Sequence, residues 1–355
     1  MFDANSGWAW AGVNDGSRDH LLRTTDGGQT WSDLSPRAFP YSRGRSFFLD
    51  AQTAWLSTFD ANTNSAGLIH TTDGGKSWTV FDQIVGPDAN YHFLNQTYGW
   101  AETADIGAGN ALLRVFETMD GGKSWKPLVI NPEHPEANLP AGTIHLCNIC
   151  GDALNFYPPS RVVTTFGDLA TAPGGALRFS ITMNLGRTWQ DLNLPLPSNK
   201  LSTGLVEPGS PIFFDRMNGL LPAVTMKQNA DGSTFDFSVL FVYATSDGGL
   251  TWFMRPALVR DVDAYHPQLD IVSVKDWFVP CGSNLCVTHD GALGWLTITP
   301  GIDFGREGTD RYLTQLAFVD VSHGWAIISD KDTSHLYRTM DGGSTWDELP
   351  VNVLP

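Results

Sequence analysis

The chain is poor in cysteine, with 4 in 355 residues, and poor in positive charge, with 22 Lys and Arg against 38 Asp and Glu. A net charge of −16 excludes a sequence-blind grip on nucleic acid, which needs basic surface to release counterions from phosphates. It equally disfavours anionic membrane surfaces. No apolar run is long enough to span a bilayer, and no signal-peptide core or lipidation motif is present, so membrane insertion is not expected. The chain also lacks a low-complexity linker, a phosphate loop, an HExxH helix and a Ser-His-Asp order, and its 9 histidines are dispersed. The few cysteines fall in two close pairs. Cys281 and Cys286 bracket Gly-Ser-Asn-Leu between strand-like runs, a placement that permits a hairpin-loop disulfide. Cys147 and Cys150 form a CxxC beside His145; with no fourth ligand evident, a short disulfide is the better reading than a metal site, and a thioredoxin-type role lacks its strand-to-helix setting. An even cysteine set in an acidic chain points to an extracellular or periplasmic protein, its export signal lying outside this sequence. A monomer is expected.

What the chain has in abundance is one motif, Thr-x-Asp-Gly-Gly-x-Ser/Thr-Trp. Full copies run Thr24 to Trp31, Thr71 to Trp78, Thr118 to Trp125, Thr245 to Trp252 and Thr339 to Trp346. Degenerate copies run Thr182 to Trp189, with Asn184 for Asp, and Thr288 to Trp295, with Ala292 and Gly294 as substitutes. Asp before Gly-Gly marks a tight turn, because the carboxylate accepts turn N–H groups and glycine tolerates positive φ. The Trp then opens the returning strand. A second periodicity places an apolar residue seven positions before a Trp or its equivalent: Met1 and Trp8, Phe48 and Trp55, Phe93 and Trp100, Phe213 and Leu220, Phe318 and Trp325. Turn formers fill the intervals, so each unit opens with a hairpin. Looser versions precede Arg161 and Trp277.

The motif resembles the Asp-box, or BNR repeat, of sialidases, xyloglucanases, sortilin-type receptors and the photosystem II assembly-factor family, and the resemblance covers essentially the whole chain. Intervals of 47, 47, 64, 63, 43 and 51 residues between motifs suit propeller blades with loop insertions. The expected fold is all-β: a seven-bladed β-propeller of four-stranded antiparallel blades with Asp-box hairpins, forming one domain over 1–355. The blades are expected near 1–34, 46–81, 91–128, 153–192, 211–255, 267–298 and 314–350. Residues 351–354 are expected to close the ring beside residues 1–3, so that no strand edge stays open. A motif repeated seven times serves the scaffold, so Asp26, Asp73, Asp120, Asp247, Asp290 and Asp341 read as turn residues. Trp31, Trp78, Trp125, Trp189, Trp252, Trp295 and Trp346 read as packing between units.

Function is then expected in the variable loops between blades, at 32–46, 79–91, 126–152, 190–211, 253–266 and 296–314. These carry Arg37, Arg43, Arg45, Arg255, Arg260, Arg306 and Arg311. Guanidinium groups around one rim would bind carboxylate or phosphate bidentately. The competing reading is pairing with Asp261, Asp263, Asp303, Glu307 and Asp310. Tyr41, Tyr91, Tyr265 and Tyr312 are rim aromatics suited to sugar C–H surface, although core packing explains them equally. Asp60-x-Asn62-x-Asn64 resembles half of a calcium loop but lacks the closing Glu, so it reads as a polar hairpin loop and no metal or other cofactor is expected.

Three function classes fit. The Gly-Trp-Ala strand before Thr-Thr-Asp-Gly-Gly-Lys-Ser-Trp is most similar to the photosystem assembly-factor family and its relatives, which implies a non-catalytic recognition or assembly propeller holding a partner polypeptide on the loop face. A glycoside hydrolase related to Asp-box sialidases or xyloglucanases is the alternative. It would need two facing rim carboxylates about 5–10 Å apart, drawn from Asp60, Asp105, Asp168, Asp261 and Asp263. The third class is a lectin-like glycan binder.

Overall fold

In the five full copies of the motif the turn closes in the same way. The Thr24 hydroxyl donates to Asp26 Oδ1 at 2.8 Å and accepts the Gly28 N–H at 2.9 Å. Thr30 donates its N–H to Asp26 Oδ1 at 2.9 Å and its hydroxyl to Oδ2 at 2.5 Å. The same four bonds recur around Asp73, Asp120, Asp247 and Asp341. They favour the charged carboxylate: the Ser77 hydroxyl, then its N–H, hold Asp73 down at about 2. Asn184 keeps the pattern by reversing one bond, its Nδ2 donating to the Thr188 hydroxyl at 2.9 Å. Asp290, with Gly294 in the hydroxyl position, takes the Leu293 and Gly294 N–H groups instead, both at 3.0 Å.

The computed structural model describes all residues except 13–18, 37–45, 61–64, 82–84, 87–88, 108–109, 129–142, 147–152, 158–159, 166–175, 185–187, 189, 198–204, 229–234, 264–267, 306–309, 332 and 355. Among the described residues every regular element is a strand, and the strands form seven sheets, the blades of a seven-bladed β-propeller. The chain divides into two compact units, one comprising Met1–Ile149 with Val351–Pro355 and the other Cys150–Asn184 with Thr188–Pro350.

The first unit holds three blades. Blade one contains Gly7–Ala11, His20–Thr24 and Thr30–Asp33; blade two contains Ser46–Phe48, Ala54–Asp60, Ser65–Thr71 and Thr79–Phe81. Blade three contains Asn90–Phe93, Gly99–Gly107, Asn110–Thr118 and Lys126–Pro127, with Thr143–Leu146 added against Ala111–Arg114. The final strand, Asn352–Leu354, joins blade one in parallel with Thr30–Ser32, the one parallel pairing among the described strands. It does not lie beside residues 1–3 as the sequence suggested. Residues 1–6 form no strand, Asp3 Oδ1 accepting the Asn5 and Ser6 N–H groups at 2.7 Å, whereas Thr30–Ser32 offers an extended edge. Trp55 of blade two carries the packing here. Its ring stacks on Phe93 at 3.7 Å and on His70 at 4.5 Å, and its Nε1 donates to the Gly121 carbonyl of the next motif turn at 2.9 Å.

The second unit holds four blades. Blade four contains Ala153–Tyr157, Arg161–Thr165, Ala176–Thr182 and Gln190–Pro195; blade five contains Ile212–Phe213, Gly219–Gln228, Phe235–Thr245 and Phe253–Met254, plus Leu205–Pro208 and Val259–Arg260. Blade six contains Asp270–Ile271, Trp277–Cys281, Asn284–Thr288 and Leu296–Ile298; blade seven contains Arg311–Phe318, Gly324–Asp330, Thr333–Thr339 and Asp347–Leu349. Aromatic rings join neighbouring blades: Phe278 of blade six stacks on Phe318 of blade seven at 3.6 Å, and Phe179 of blade four meets Trp252 of blade five edge-on at 5.7 Å. The motif Trp residues are tied to their own turns, Trp31, Trp125, Trp252 and Trp346 each donating Nε1 to the carbonyl of the second motif Gly at 2.8–3.1 Å.

That second Gly packs closely against the preceding blade in blade five. Gly249 has φ of 98°, and a Cβ there would lie 2.8 Å from Ile181 Cδ1 of the preceding blade and 3.2 Å from Phe213 Cζ. Gly249→Ala therefore combines left-handed strain with overpacking and should lower stability by about 2–4 kcal/mol in denaturant titration. Ala292 already occupies this slot in blade six at φ 62°, fully buried. Ala292→Gly should change stability by less than about 1 kcal/mol, because relief of strain offsets a lost buried methyl. Deletion of 351–355 removes the parallel strand from Thr30–Ser32 and should cost about 2 kcal/mol, seen as a lowered Tm; an unchanged Tm would mean that the added strand contributes nothing to blade one.

Candidate functional site

Each blade has two ends with different chemistry. At one, the first motif Gly donates its N–H to a carbonyl of the blade's first turn, as in Gly27 to Asn5, Gly74 to Gln52, Gly121 to Thr97, Gly248 to Met217, Gly291 to Lys275 and Gly342 to Ser322, at 2.8–3.0 Å. These bonds lock the two turns together, so that end repeats itself from blade to blade. At the other end lie the hairpins between second and third strands, and there the blades differ.

Blade five departs furthest from the pattern. Its central hairpin pairs from Gly219 with Thr245 out to Gln228 with Phe235, a length the four-strand pattern does not use. The outer half of that hairpin is flanked on both sides. Leu205–Pro208 pairs with Ala223–Met226, and Val259–Arg260 pairs with Val239–Leu240. Both added strands come from the loops read as inter-blade connections, 190–211 and 253–266. Leu205–Pro208 ends the sheet, and among the described residues no strand pairs with its far edge. Such an edge presents alternate backbone N–H and C=O groups to an incoming extended chain.

Blade five is fastened to the hairpin of blade six. Asp261, at φ 59°, donates its N–H to the Ser238 carbonyl at 2.9 Å and accepts the Gly282 N–H at 2.8 Å. The Ser238 hydroxyl donates to the Val262 carbonyl. Cys281 and Cys286 form a disulfide across that hairpin, with Cα atoms 5.9 Å apart. Blade seven contributes a polar cluster. Arg311 donates Nη1 to Asp330 Oδ2 at 2.5 Å, Nε to the Asp303 carbonyl at 2.9 Å and Nη2 to the Tyr337 hydroxyl at 3.4 Å. The bond to Tyr337 comes before the charge of Asp330 in keeping Arg311 more basic than usual. His335 lies 2.8 Å from Glu348 Oε1 and 3.7 Å from Asp330 Oδ2.

The residues singled out from the sequence scatter over this frame. Arg311 is engaged by neighbours of its own chain, with Asp330 rather than Asp303 or Asp310 as its carboxylate; Asp310 instead meets Lys331 at 3.2 Å. Arg260 lies exposed on the added strand of blade five, beside exposed Asp261 and half-buried Asp263. Tyr312 is half exposed, whereas Tyr91 is buried and donates its hydroxyl to the Gly86 carbonyl at 3.1 Å. Asp60 ends a strand opposite Ser65, and Asp105 pairs in register with Leu112. Tyr41, Arg43, Arg45, Asp168, Tyr265, Arg306, Cys147, Cys150 and Trp189 lie outside the described residues. Among the described residues no group of three or more His, Cys, Asp or Glu side chains is placed to hold a metal, and no helix is long and apolar enough to cross a membrane.

Several polar residues with definite roles gave no signal in the sequence. Asp330, His335, Tyr337 and Glu348 are brought to Arg311 by strand pairing alone. Asp270 sits in the first strand of blade six, where other blades carry apolar residues such as Phe47 and Ile212. Burial pushes its pKa up, and its carboxylate accepts the Phe318 N–H of blade seven.

No family model matches this chain, and no curated protein matches it. Solved structures do show likeness. One described as YCF48 bound to D1 peptide has 18% identity over 96% of this chain and 91% of that chain, with a TM-score of 0.47. The GH93 α-L-arabinofuranosidase of Fusarium graminearum in complex with arabinobiose has 13% identity over 84% of this chain and 93% of that one, at 0.44. A PL25 polysaccharide lyase described as ulvan lyase bound to -[GlcA(1-4)Rha3S]- has 10% identity over 94% of this chain and 89% of that one, at 0.48.

The side chains of Arg311 and Asp330 are 29% and 36% exposed, so their pairing is worth little by itself. Asp330→Asn should lower stability by less than about 1 kcal/mol in chemical denaturation. Arg311→Ala removes three bonds together and should cost about 2 kcal/mol.

Proposed function

We propose that this chain is a non-catalytic recognition module that holds an extended polypeptide at the hairpin ends of its blades. The observation that carries the reading is the six-stranded blade five, whose strand Leu205–Pro208 ends the sheet with its far edge unpaired among the described residues. Such an edge suits β-strand addition, in which main-chain bonds supply affinity and alternate side-chain positions supply selectivity. Exposed Arg260 on blade five and half-exposed Tyr312 on blade seven would contribute a charge and an aromatic face. The repeated turns support the reading by exclusion of their own carboxylates from chemistry, since each motif Asp is taken up by Thr and Ser bonds. Their resemblance to Asp-box repeats, and to the assembly-factor family that binds a polypeptide, points the same way. An exported setting accords with it, because a disulfide such as Cys281–Cys286 persists in oxidising compartments.

Selection of peptides from a random display library on the immobilised protein, followed by calorimetry with the selected sequence, tests the proposal. Stoichiometric binding is expected. Of consecutive strand residues, one turns its N–H outward and the next turns it inward, so one of Val206→Pro and Glu207→Pro should weaken binding by about tenfold or more with an unchanged Tm. No selected peptide, together with release of a defined sugar from xyloglucan, arabinan or sialosides, would overturn the reading in favour of a glycoside hydrolase.

A further inference from the structure

The repeated turn end of the second unit carries an unexpected amount of exposed apolar surface. Met183, Met217, Leu250, Leu293, Val321 and Met340 are each between 40% and 59% exposed. Four of them recur pairwise in equivalent slots. Met183 and Met340 follow the motif Thr, and Leu250 and Leu293 follow the second glycine position, whereas Met217 and Val321 sit at adjacent positions of the first turn, Met217 being level with Ser322. The bonds locking the two turns hold these slots together: Met217 accepts the Gly248 N–H at 2.8 Å, and Gly342 donates to Ser322, next to Val321, at 3.0 Å. Blade four joins blade five at the same end, where Arg161 donates to the Arg216 carbonyl and Met183 Cε reaches within 3.7 Å of the position a Cβ on Gly248 would take. Apolar side chains scattered singly are ordinary on a protein surface, but six on the turns of four successive blades, with two slots each used twice, mark this end as a candidate patch.

The charge around this patch is predominantly negative. Asp215, Asp247, Asp276, Asp290, Asp320 and Asp341 line it, against exposed Arg216 and Lys275 and the guanidinium groups of Arg161 and Arg255 at the seams between blades. The histidines here face carboxylates, His289 to Asp276 at 2.9 Å and His323 to Asp320 at 2.8 Å. The carboxylates are held by turn hydrogen bonds and stay ionised: Asn218 lowers the pKa of Asp215, and the Thr345 N–H that of Asp341. Methionine side chains are flexible and polarisable, and they adapt to varied apolar partners.

We propose that the repeated turn end of the second unit is a second docking surface, whose occupant is a cationic amphipathic polypeptide segment with aliphatic side chains on one face and Lys or Arg on the other. The aliphatic face covers the Met, Leu and Val slots, and the basic face meets the surrounding carboxylates. This surface lies at the opposite end of the strands from the blade-five edge and serves a different kind of ligand.

The test uses the full chain and a fluorescent Leu-Lys amphipathic peptide of about 18 residues, long enough for about five helical turns. A peptide with Glu in place of Lys and a scrambled Leu-Lys peptide serve as controls. Anisotropy titration should show binding of the Leu-Lys peptide, weakened by at least about tenfold between about 50 and 500 mM salt. The combined variant Met217→Gln, Leu293→Gln, Met340→Gln should weaken it by about tenfold or more without lowering Tm, since all three side chains are exposed. Glu207→Pro should leave it unchanged, which separates failure here from failure of the blade-five reading. Equal binding of the Glu or scrambled peptide, unchanged affinity of the triple variant, no binding, or preferential adsorption to phosphatidylcholine vesicles would each overturn the proposal.

Discussion

The hydroxyl of the first motif threonine is the interaction on which the rest depends. It donates to the Asp carboxylate and accepts the N–H of the residue in the second glycine slot, which fixes a turn with two consecutive positive φ values in the full copies. That turn brings the second glycine against the preceding blade so closely that a methyl group would not fit beside Ile181. The Trp that follows returns its indole N–H to the same turn. Local hydrogen bonding and packing between blades are therefore one constraint, and the motif recurs because each blade must meet its neighbour in the same way.

A scaffold fixed at one end of every blade leaves the other end free to vary. In blade three an added strand lies along the outer half of the central hairpin, and in blade five there are two. Neither costs the scaffold anything, because the outer halves of these hairpins lie beyond the turn bonds. Blade seven uses the same freedom differently, gathering Arg311, Asp330, Tyr337, His335 and Glu348 into a self-satisfied cluster. Arg311 shows how a charge that looks like an anion receptor in the sequence becomes an organiser once strand pairing supplies a carboxylate.

The fold was legible to an unusual degree. Seven copies of one turn, each followed by Trp, state the blade number directly, and even the degenerate copies hold: Asn184 preserves the bond pattern by donating to Thr188, and Ala292 adopts the glycine conformation at φ 62°. The placement of Cys281 and Cys286 between strand-like runs permitted the bridge that the structure forms. Less was legible about the ends of the chain, where residues 351–354 chose the edge of Thr30–Ser32 over the neighbourhood of residues 1–3. The polar cluster of blade seven was not legible at all, since its members are separated by up to 37 positions and belong to no motif.

By itself, then, the sequence determined what depends on contacts a few residues apart: the turns, the hairpins, the motif tryptophans and the number of blades. Tertiary structure decided what depends on which strands become neighbours. It turned parts of two loops into the flanks of blade five, put Asp270 under the Phe318 N–H, and paired Arg311 with Asp330 across a sheet. The physical reason is that a turn is closed by its own side chains, whereas a sheet edge or an ion pair exists only after distant strands have found their register.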